Sequence, residues 1–341
     1  MHVIGLDIGG ANIKAADGEG QASERPFALW KEPAKLSAEL AAVLAGFAPA
    51  DRLAVTMTGE LADCFVTKAE GVHFILRSVE AVAAGRPVLV WQTGAEFVTP
   101  DVAREIPLLV AAANWHALAT WVGRITPRGP AVLIDVGSTT ADLVPLLDGV
   151  PVPQGLTDCE RLRSGELVYS GGRRTPVCAI AHSVPFREGY CPLAAELFAT
   201  VLDVYLILGL IPEDPHDTNT ANGRPATADA AHDRLARALC CDRTEFSLDD
   251  ALVVARFLAD VQQQRLAAAA ERVAARLPGA VENVILSGSG EFLARTIVAR
   301  APRLRNSKPH VLSELFNRDQ AEAACAVAVA VLAQERLAPH I

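Results

Sequence analysis

The chain has 341 residues, which predicts about two domains, and 51% of them are hydrophobic against 21% charged, a composition typical of a globular protein with a large core. The formal net charge is −9 and no block of Lys or Arg occurs, so nucleic acid and anionic membranes are not expected as partners. The seven cysteines form no CxxC pair. No signal peptide or apolar tract of about 18 residues is recognisable, so a cytoplasmic location is expected.

Apolar runs alternate with amphipathic segments along the chain, which predicts the α/β class. In chain order, strands are predicted at 3–8, 13–16, 53–57, 87–91 and 284–286, a second strand-turn-strand run at 131–147, and helices at 34–46, 108–122, 192–210, 248–277 and 319–336. The Pro- and Gly-containing break at 126–130 divides the chain into a first domain, 1–125, and a second domain, 126–341. Packing of the final segment, 319–341, back on the first domain is left open.

The two halves open with the same pattern of residues. The run 7–14, Asp-Ile-Gly-Gly-Ala-Asn-Ile-Lys, aligns with the run 135–142, Asp-Val-Gly-Ser-Thr-Thr-Ala-Asp, and each follows an apolar strand. One Asp-x-Gly turn is common in hairpins, but two of them one domain apart indicate an internal duplication. A third turn, 287–290, follows the strand at 284–286, and its small residues let a flat ligand lie against the backbone.

The residue types in these turns suit phosphate binding. Gly9 and Gly137 let the chain turn sharply and approach a phosphate without a Cβ in the way. Asp7 and Asp135 end their strands, where a carboxylate can hold Mg²⁺ directly or through water. Asp142 is a candidate to orient the metal or an attacking group, so these three acids are the predicted catalytic residues of the turns. The predicted ligand-binding residues are Gly9, Gly10, Asn12, Lys14, Gly137, Ser138, Thr139, Thr140, Gly288, Ser289 and Gly290.

Three polar residues follow the predicted strand 53–57. Glu60 and Asp63 are each a candidate general base or metal ligand, and the alternative is that they are acids in the first turn of a helix. Lys68, just beyond them, is either a phosphate ligand or a solvated lysine.

Two other segments carry candidate substrate-binding residues. Asn114 lies in an otherwise apolar predicted helix, where it either bonds a ligand or is a buried amide satisfied by the backbone. Arg173 and Arg174 follow two glycines, and two guanidiniums on a flexible turn suit anionic groups, although a charged hairpin tip has the same pattern.

The three glycine-rich turns resemble the phosphate-1, phosphate-2 and adenosine motifs of the actin, Hsp70 and sugar-kinase superfamily. That resemblance implies two related actin-like ATPase domains of the ribonuclease H-like type, with a ligand cleft between them. It also makes ATP or ADP a possible ligand, and it leaves a small-molecule kinase or ATPase, or a nucleotide-binding regulator without catalysis, as alternative functions.

A closer resemblance covers segments from residue 4 to about residue 210. GLDIGGANIKAA, TMTGELADCFVTKAEGV, AAANWHALATWVG, IDVGSTTADLVPL, SGELVYSGGRRTPVCAIAH and ELFATVLDVYLILG are similar to a hydantoinase/oxoprolinase-related family that is associated with tetrahydromethanopterin-linked one-carbon transfer. The resemblance implies a transferase of methanofuran synthesis, which joins an aminomethylfuran-methyl diphosphate to γ-glutamyltyramine and releases diphosphate with the help of Mg²⁺. The implied partners are therefore a small-molecule diphosphate and a phenolic amine. A hydantoinase-like amide hydrolase is a further alternative, and the Ala-rich helices are compatible with a homodimer.

Overall fold

The computed structural model describes residues 1–337, and two mixed β-sheets with helices around them account for most of that length. The elements of the first sheet and its helices are β1 (Val3–Ile8), β2 (Asn12–Ala16), β3 (Ala22–Pro26), α1 (Leu36–Leu44), β4 (Arg52–Met57), α2 (Lys68–Ala83), β5 (Val88–Gln92), β6 (Glu96–Val98), α3 (Pro100–Glu105), α4 (Pro107–Val110) and α5 (Asn114–Val122).

The second sheet and its helices follow after a 3-10 turn, Gly123–Ile125. These elements are β7 (Pro130–Val136), β8 (Ala141–Leu147), β9 (Val150–Pro151), α6 (Asp158–Ser164), β10 (Leu167–Val168), α7 (Val177–Ile180), β11 (Ser183–Phe186), β12 (Gly189–Pro192), α8 (Val201–Ile207), α9 (Ala228–Ala238), α10 (Leu248–Ala274), β13 (Asn283–Ser287), α11 (Glu291–Arg300), β14 (Lys308–Val311), α12 (Leu312–Leu315), α13 (Arg318–Glu322) and α14 (Ala324–Leu337).

The two sheets share one strand arrangement. Their orders are β3-β2-β1-β4-β5-β6 and β10-β8-β7-β13-β14, with β9 beside β8. In each sheet the first strand is antiparallel to the next strand in sequence and parallel to a later one, which is β4 for β1 and β13 for β7. The chain therefore folds as two related α/β units, as the duplicated turns predict.

The strand register repeats at the residue level. In the first sheet Asp7 pairs with Lys14 on one side and with Thr56 on the other. In the second sheet Asp135 pairs with Asp142 and Ser287 in the corresponding positions. The two predicted metal-binding aspartates thus occupy equivalent positions at the ends of equivalent strands.

Two helices, α5 and α14, form a layer between the sheets. On β1, Ile4, Leu6 and Ile8 belong to a core with α1 and α2, whereas Val3 belongs to a core with α5 and α14. On β7, Leu133 packs with residues of the same two helices, whereas its neighbours in sequence pack with α10. Because side chains alternate along a strand, Asp7 and Asp135 lie on the faces that point to this central layer.

The final helix packs closely on the first sheet. A Cβ added at Gly5, in the middle of β1, would lie 2.0 Å from the carbonyl oxygen of Ala326 on α14. The absence of a side chain at Gly5 therefore lets α14 approach the strand. Residues 338–341 of the predicted final segment lie outside the described residues, and the domain boundary at 125/126 stays a prediction.

Three predicted helices differ from the structure, and one of them, 319–336, is divided at Ala323 into α13 and α14. The predicted helix 108–122 is interrupted between α4 and α5, because Ala111 forms a bridge with Met57 and Ala112 adopts a φ of 47°. The predicted helix 192–210 is shorter, since α8 begins only after Thr200, which forms a capping box with Asp203. No helix among residues 1–337 is long and apolar enough to cross a membrane.

Candidate active site at the paired glycine turns

The turn between β1 and β2 presents unpaired backbone donors. Gly9 closes it by donating its N–H to the carbonyl of Asn12 at 2.9 Å, while the N–H groups of Gly10 and Ala11 have no acceptor among residues 1–337. The space beside Gly10 is open, because a Cβ added there would have no heavy atom within 4 Å. Successive N–H groups around an open space form a site that suits an anion.

The turn between β7 and β8 has the same construction. Gly137 donates to the carbonyl of Thr140 at 2.9 Å, and the N–H groups of Ser138, Thr139 and Thr140 lack an acceptor within the described part of the chain. The segment 171–174 lies directly on this turn: the N–H groups of 172, 173 and 174 donate to the carbonyls of Gly137 and Ser138 at 2.9–3.0 Å. The predicted glycine-arginine segment therefore supports the turn through its backbone.

The third turn, 287–290, completes the cluster. Gly290 donates its N–H to Val136 at 2.8 Å, and Gly288 has a φ of +91°. A Cβ at Gly288 would lie 2.6 Å from Asp135 Oδ1, so only glycine allows this close approach. The turns of the second half thus converge on Asp135, with Ser289 between the two glycines.

Asp7 and Asp135 are both poorly solvated. Burial raises the pKa of Asp7 to about 6, although Lys14 and the neighbouring Asn114 amide act to lower it. Burial and the charge of Asp142 raise the pKa of Asp135 to about 6, and Asp7 adds to that rise. Asp135 therefore responds to charges of the other half of the molecule, Lys14 and Asp7, and a cation between the two aspartates would stabilise both ionised forms.

The central helices bring two further groups to this place. Asn114 is the first residue of α5 and lies beside Asp7. Cys325, at the start of α14, is buried near Asp7 and Asp135, and burial raises the pKa of its thiol well above the usual value. Both helices thus begin at the aspartates, where their N-terminal ends favour negative charge.

Lys14 links the first turn to the other elements. Its Nζ donates to the carbonyl of Glu322 at 2.6 Å and lies 3.6 Å from Glu24. Burial acts to lower the pKa of Lys14, but Glu24 and Asp7 outweigh it, so the pKa is raised and the side chain is charged. Its positive charge acts on Asp7 at the first turn.

Asp7 and Asp135 are suited to bind Mg²⁺ only together with ligands from outside the chain. Among residues 1–337 no group of three or more His, Cys, Asp or Glu side chains is arranged to hold a metal ion. Asp7 nevertheless keeps Oδ1 buried without a hydrogen-bond partner. Because Mg²⁺ commonly takes one or two carboxylates and completes its shell with water and phosphate oxygens, these two aspartates suit Mg²⁺ that arrives with a phosphate-bearing ligand.

Glu60 lies beside the first turn and is 1% exposed. Gly59 before it contacts Gly9, and both Thr58 and Gly59 donate their N–H groups to Ile8, which fixes the loop against β1. Burial raises the pKa of Glu60 to about 7, and its Oε2 has no partner in the described chain. A carboxylate that titrates near neutral pH is suited to accept a proton. Asp63, by contrast, is exposed.

Lys68 bridges the two halves. Its Nζ lies 3.0 Å from Asp158 Oδ2, and about a quarter of each side chain is exposed. Lys68 is the first residue of α2 and Asp158 the first residue of α6, so the contact joins the starts of two helices from different sheets. The predicted phosphate ligand is therefore engaged in an ion pair between the domains.

Asp142 is held by a residue that sequence reasoning missed. Arg161 donates to Asp142 Oδ1 at 2.8 Å, is 1% exposed, and lies 3.8 Å from the ring centroid of Trp115 on α5. On balance burial raises the pKa of Asp142, although Arg161 acts to lower it. No motif around Arg161 indicates this contact, because its partners come from β8 and α5.

The two predicted arginines differ in their surroundings. Arg173 forms an ion pair with Asp217, which belongs to the loop between α8 and α9. Arg174 is exposed and contacts the second turn only through its backbone N–H. The structure thus brings together Asp7, Asn114, Lys14, Asp135, Asp142 and the glycine turns, with Glu60 beside the first turn. It places Asp63 and the Arg174 side chain at the surface.

Comparison with known sequences gives consistent matches. The sequence profile described as hydantoinase/oxoprolinase matches residues 51–336. A protein of Methanocaldococcus jannaschii, named (4-{4-[2-(gamma-L-glutamylamino)ethyl]phenoxymethyl}furan-2-yl)methanamine synthase, is 32% identical over 99% of both chains. A protein of the same name from Methanococcus vannielii is 26% identical over 60% of this chain and 91% of its own length.

Comparison with solved structures concerns the fold. The nucleotide-free structure of acetone carboxylase, from work on ATP-dependent acetone carboxylation, aligns with a TM-score of 0.52 at 9% identity, over 90% of this chain and 68% of that chain. Together with the repeated strand order, this confirms the predicted fold of two related actin-like domains.

Proposed function

This chain belongs to the hydantoinase/oxoprolinase family, and we propose that it is a transferase of methanofuran-type cofactor synthesis. In the proposed reaction an aminomethylfuran-methyl diphosphate condenses with γ-glutamyltyramine or a close analogue, and diphosphate is released. The reaction would support tetrahydromethanopterin- and methanofuran-linked one-carbon metabolism. The observation that carries the proposal is the full-length 32% identity to a synthase named for this ether product.

The turns support a diphosphate-binding role. The N–H groups of Gly10 and Ala11 in the first half, and of 138–140 in the second, lack protein acceptors within residues 1–337. Two such sites at equivalent positions of two related sheets suit a ligand with two phosphoryl groups. Lys14 adds a positive charge beside them.

The proposed chemistry is a substitution at the furanylmethyl carbon. The bond between that carbon and the diphosphate oxygen breaks, and the electron pair leaves with diphosphate, because the furan ring oxygen stabilises the positive charge that develops. The phenol oxygen then forms the new bond to carbon. Glu60 accepts the phenol proton, and the turns hold the departing diphosphate by their N–H groups.

Mg²⁺, when bound, would supply positive charge that stabilises diphosphate as a leaving group. Asp7 and Asp135 would hold it, and Lys14 would balance the charge on the first side. Arg173 and Arg174 are proposed to hold the glutamyl carboxylate of the acceptor, for which Arg173 must exchange its contact with Asp217.

An assay of the purified protein with the two substrates and Mg²⁺ tests the proposal, with diphosphate measured enzymatically and the ether product by mass spectrometry. We expect Asp7→Asn to reduce product formation at least a hundredfold, because it removes a carboxylate that would hold Mg²⁺ beside the departing diphosphate. Asp101→Asn, at an aspartate whose side chain is 92% exposed on α3, is the matched control and should retain full activity. Equal activity of both variants would exclude Asp7 from the site.

The same preparation separates the alternatives. Turnover of ATP with a phosphorylated product would favour a kinase or ATPase. Ring opening of a cyclic imide would favour an amide hydrolase, and nucleotide binding without turnover would favour a regulator. Disruption of the gene in its host tests the pathway itself. We expect loss of the methanofuran-type cofactor, with accumulation of the furan diphosphate and the glutamyltyramine, whereas normal cofactor levels would refute the assignment.

A further inference from the structure

A cavity of about 370 Å³ lies along α5, away from the glycine turns. One wall is a stripe of His116 and Thr120, which share a face of α5, and Arg124 in the 3-10 turn that follows α5. Ala95, between β5 and β6, and the hairpin 148–151, between β8 and β9, form the opposite walls. Both domains thus contribute to the cavity, and neither Asp7, Asp135 nor Glu60 lines it.

His116 is the polar group at the inner end of this stripe. It is 5% exposed, with the rings of Trp91 and Trp115 at centroid distances of 5.9 and 5.2 Å. Burial lowers its pKa to about 4, with further lowering by Arg161 and Arg336, so the imidazole is neutral near pH 7. A neutral imidazole has one nitrogen that donates and one that accepts.

The position of the Thr120 hydroxyl favours one tautomer of the His116 imidazole. Its hydroxyl donates to the carbonyl of His116 at 2.7 Å, which leaves the hydroxyl oxygen as an acceptor 3.4 Å from His116 Nδ1. This arrangement favours the proton on Nδ1 and a lone pair on Nε2. Nε2 has no hydrogen-bond partner among the residues that the structure describes. His116 Nε2 can therefore accept a hydrogen bond from a ligand in the cavity.

The remaining lining selects against an anionic ligand. Arg124 is paired with Glu335, and Asp148 accepts the N–H of Gly129 at 2.8 Å. The other walls, which include Val150 and two prolines, are apolar. An anion here would lose hydration without gaining an unpaired positive charge, because Arg124 is already paired.

We propose that this cavity is a second ligand site, which binds a small neutral phenol. The ring would occupy the apolar space, and the hydroxyl would donate to His116 Nε2. This goes beyond the proposed function, since the site is separate from the glycine turns and its occupation does not depend on the reaction. Because both domains line it and α5 also carries Asn114, an occupant would favour one arrangement of the domains over others.

Titration of the full-length protein with p-cresol, followed by calorimetry and ligand-observed NMR, tests the proposal. Toluene, which has the same ring without the hydroxyl, is the comparison ligand. We expect p-cresol to bind about five- to tenfold more tightly than toluene, the difference that one hydrogen bond makes. Equal affinities, or no binding of p-cresol at millimolar concentration, would overturn the proposal.

Variants locate the binding. Val150→Trp, at a rim residue that is 60% exposed, should fill the cavity and abolish p-cresol binding without lowering the unfolding temperature. Val152→Trp, two residues further on and 41% exposed, is the matched control and should bind normally. His116→Phe should reduce p-cresol affinity to that of toluene. Unchanged binding to Val150→Trp would place the ligand elsewhere and refute the site.

Discussion

Glu60 lies in a loop that is covered by α2. A Cβ added at Gly71 on α2 would lie 2.2 Å from the Glu60 carbonyl, so the helix closes directly over the loop. Burial raises the pKa of the carboxyl to about 7, while Lys68 and the backbone N–H of Ala112 act to lower it and Asp158 acts to raise it. The side chain is thus held where water stabilises its charge poorly, which is the usual origin of a base that works near neutral pH.

Glu60→Gln tests the role as proton acceptor. Only the ionised carboxylate accepts a proton, so kcat/KM of the parent protein should rise with pH and reach half its plateau near pH 7. The variant should lose at least a hundredfold in kcat/KM and show no such pH dependence. Glu188→Gln, at an exposed glutamate between β11 and β12, is the control and should keep the parent profile. Retention of the pH limb in Glu60→Gln would assign it to another group.

The same substitution makes a prediction about stability. Burial raises the pKa of Glu60 in the folded protein from its usual 4.5 to about 7, so its contribution to stability is fully present below about pH 4.5 and is lost as pH rises through about 7. At pH 8 Glu60→Gln should therefore increase the free energy of unfolding relative to the parent, by on the order of 1–3 kcal/mol. At pH 4, below the usual pKa of 4.5, the difference should nearly vanish, because the acid is mostly protonated in both the folded and the unfolded protein. Urea denaturation at both pH values measures it, and a pH-independent difference would contradict the assignment.

Some site residues could be anticipated from the sequence and others could not. Asp7 and Asp135 were predicted because a strand, an acid and a glycine turn are local in sequence and occur twice. Arg161 and Cys325 carry no local signal, because they reach the site only through tertiary packing. The sequence indicates only that Lys68 is a phosphate ligand or a solvated lysine. It does not reveal the ion pair with Asp158, because the two residues are 90 positions apart in the chain. The catalytic and binding roles of all the predicted residues stay predictions.

At the scale of elements, the turn between β1 and β2 leaves open space beside Gly10. Gly10 has no positive φ, and a Cβ there would meet no heavy atom within 4 Å, whereas a Cβ at Gly59, which faces Gly9, would come within 3.1 Å of backbone atoms. The backbone of this turn therefore does not require a glycine at position 10. A glycine is needed there only if something outside the chain approaches closely.

Gly10→Ala tests that argument. We expect the variant to fold with the parent unfolding temperature but to bind Mg–diphosphate at least tenfold more weakly, because the methyl group occupies the space of a phosphate oxygen. Gly189→Ala is the matched control, since its added Cβ also meets nothing within 4 Å but lies on the hairpin of β11 and β12. Calorimetry measures the affinity. Unchanged affinity in Gly10→Ala would show that no ligand approaches this turn.

Element boundaries were predicted with mixed success, since the capping box at Ser247 was recognised but the capping box of Thr200 and Asp203, which begins α8, was not. The capping box at Ser247 begins α10 as predicted. The interruption before α5 was missed, because alanines favour helix and only the bridge to Met57 and the positive φ of Ala112 reveal the break. That break has a consequence for the site, since it makes Asn114 the first residue of a helix beside Asp7.

At the scale of the whole molecule, the domains meet through two kinds of contact. The helices α5 and α14 fill the layer between the sheets with apolar side chains, which belong to buried clusters with both sheets. Lys68 and Asp158 join the starts of α2 and α6 by a single ion pair. The apolar layer is extensive and buried. The ion pair, in contrast, consists of two partly exposed side chains that can separate when the domains move. The repeated turns predict two domains with a ligand cleft between them and leave open the packing of the final segment on the first domain, but they do not predict the ion pair of Lys68 and Asp158.

The ion pair makes the last prediction, which concerns domain closure. Partly exposed pairs contribute about 0–1 kcal/mol, so the pair should bias an open–closed equilibrium by up to about fivefold. Reversal of one charge in Lys68→Glu places two carboxylates together and should shift the protein towards open forms, seen as a larger radius of gyration in X-ray scattering and weaker diphosphate binding. The exchanged pair, Lys68→Glu with Asp158→Lys, should restore both. A matched reversal within the first domain, Arg25→Glu at a partly exposed pair with Glu39, should change neither. Failure of the exchange to restore affinity, with the fold intact by circular dichroism, would mean that Lys68 contacts the ligand itself instead of holding the domains together.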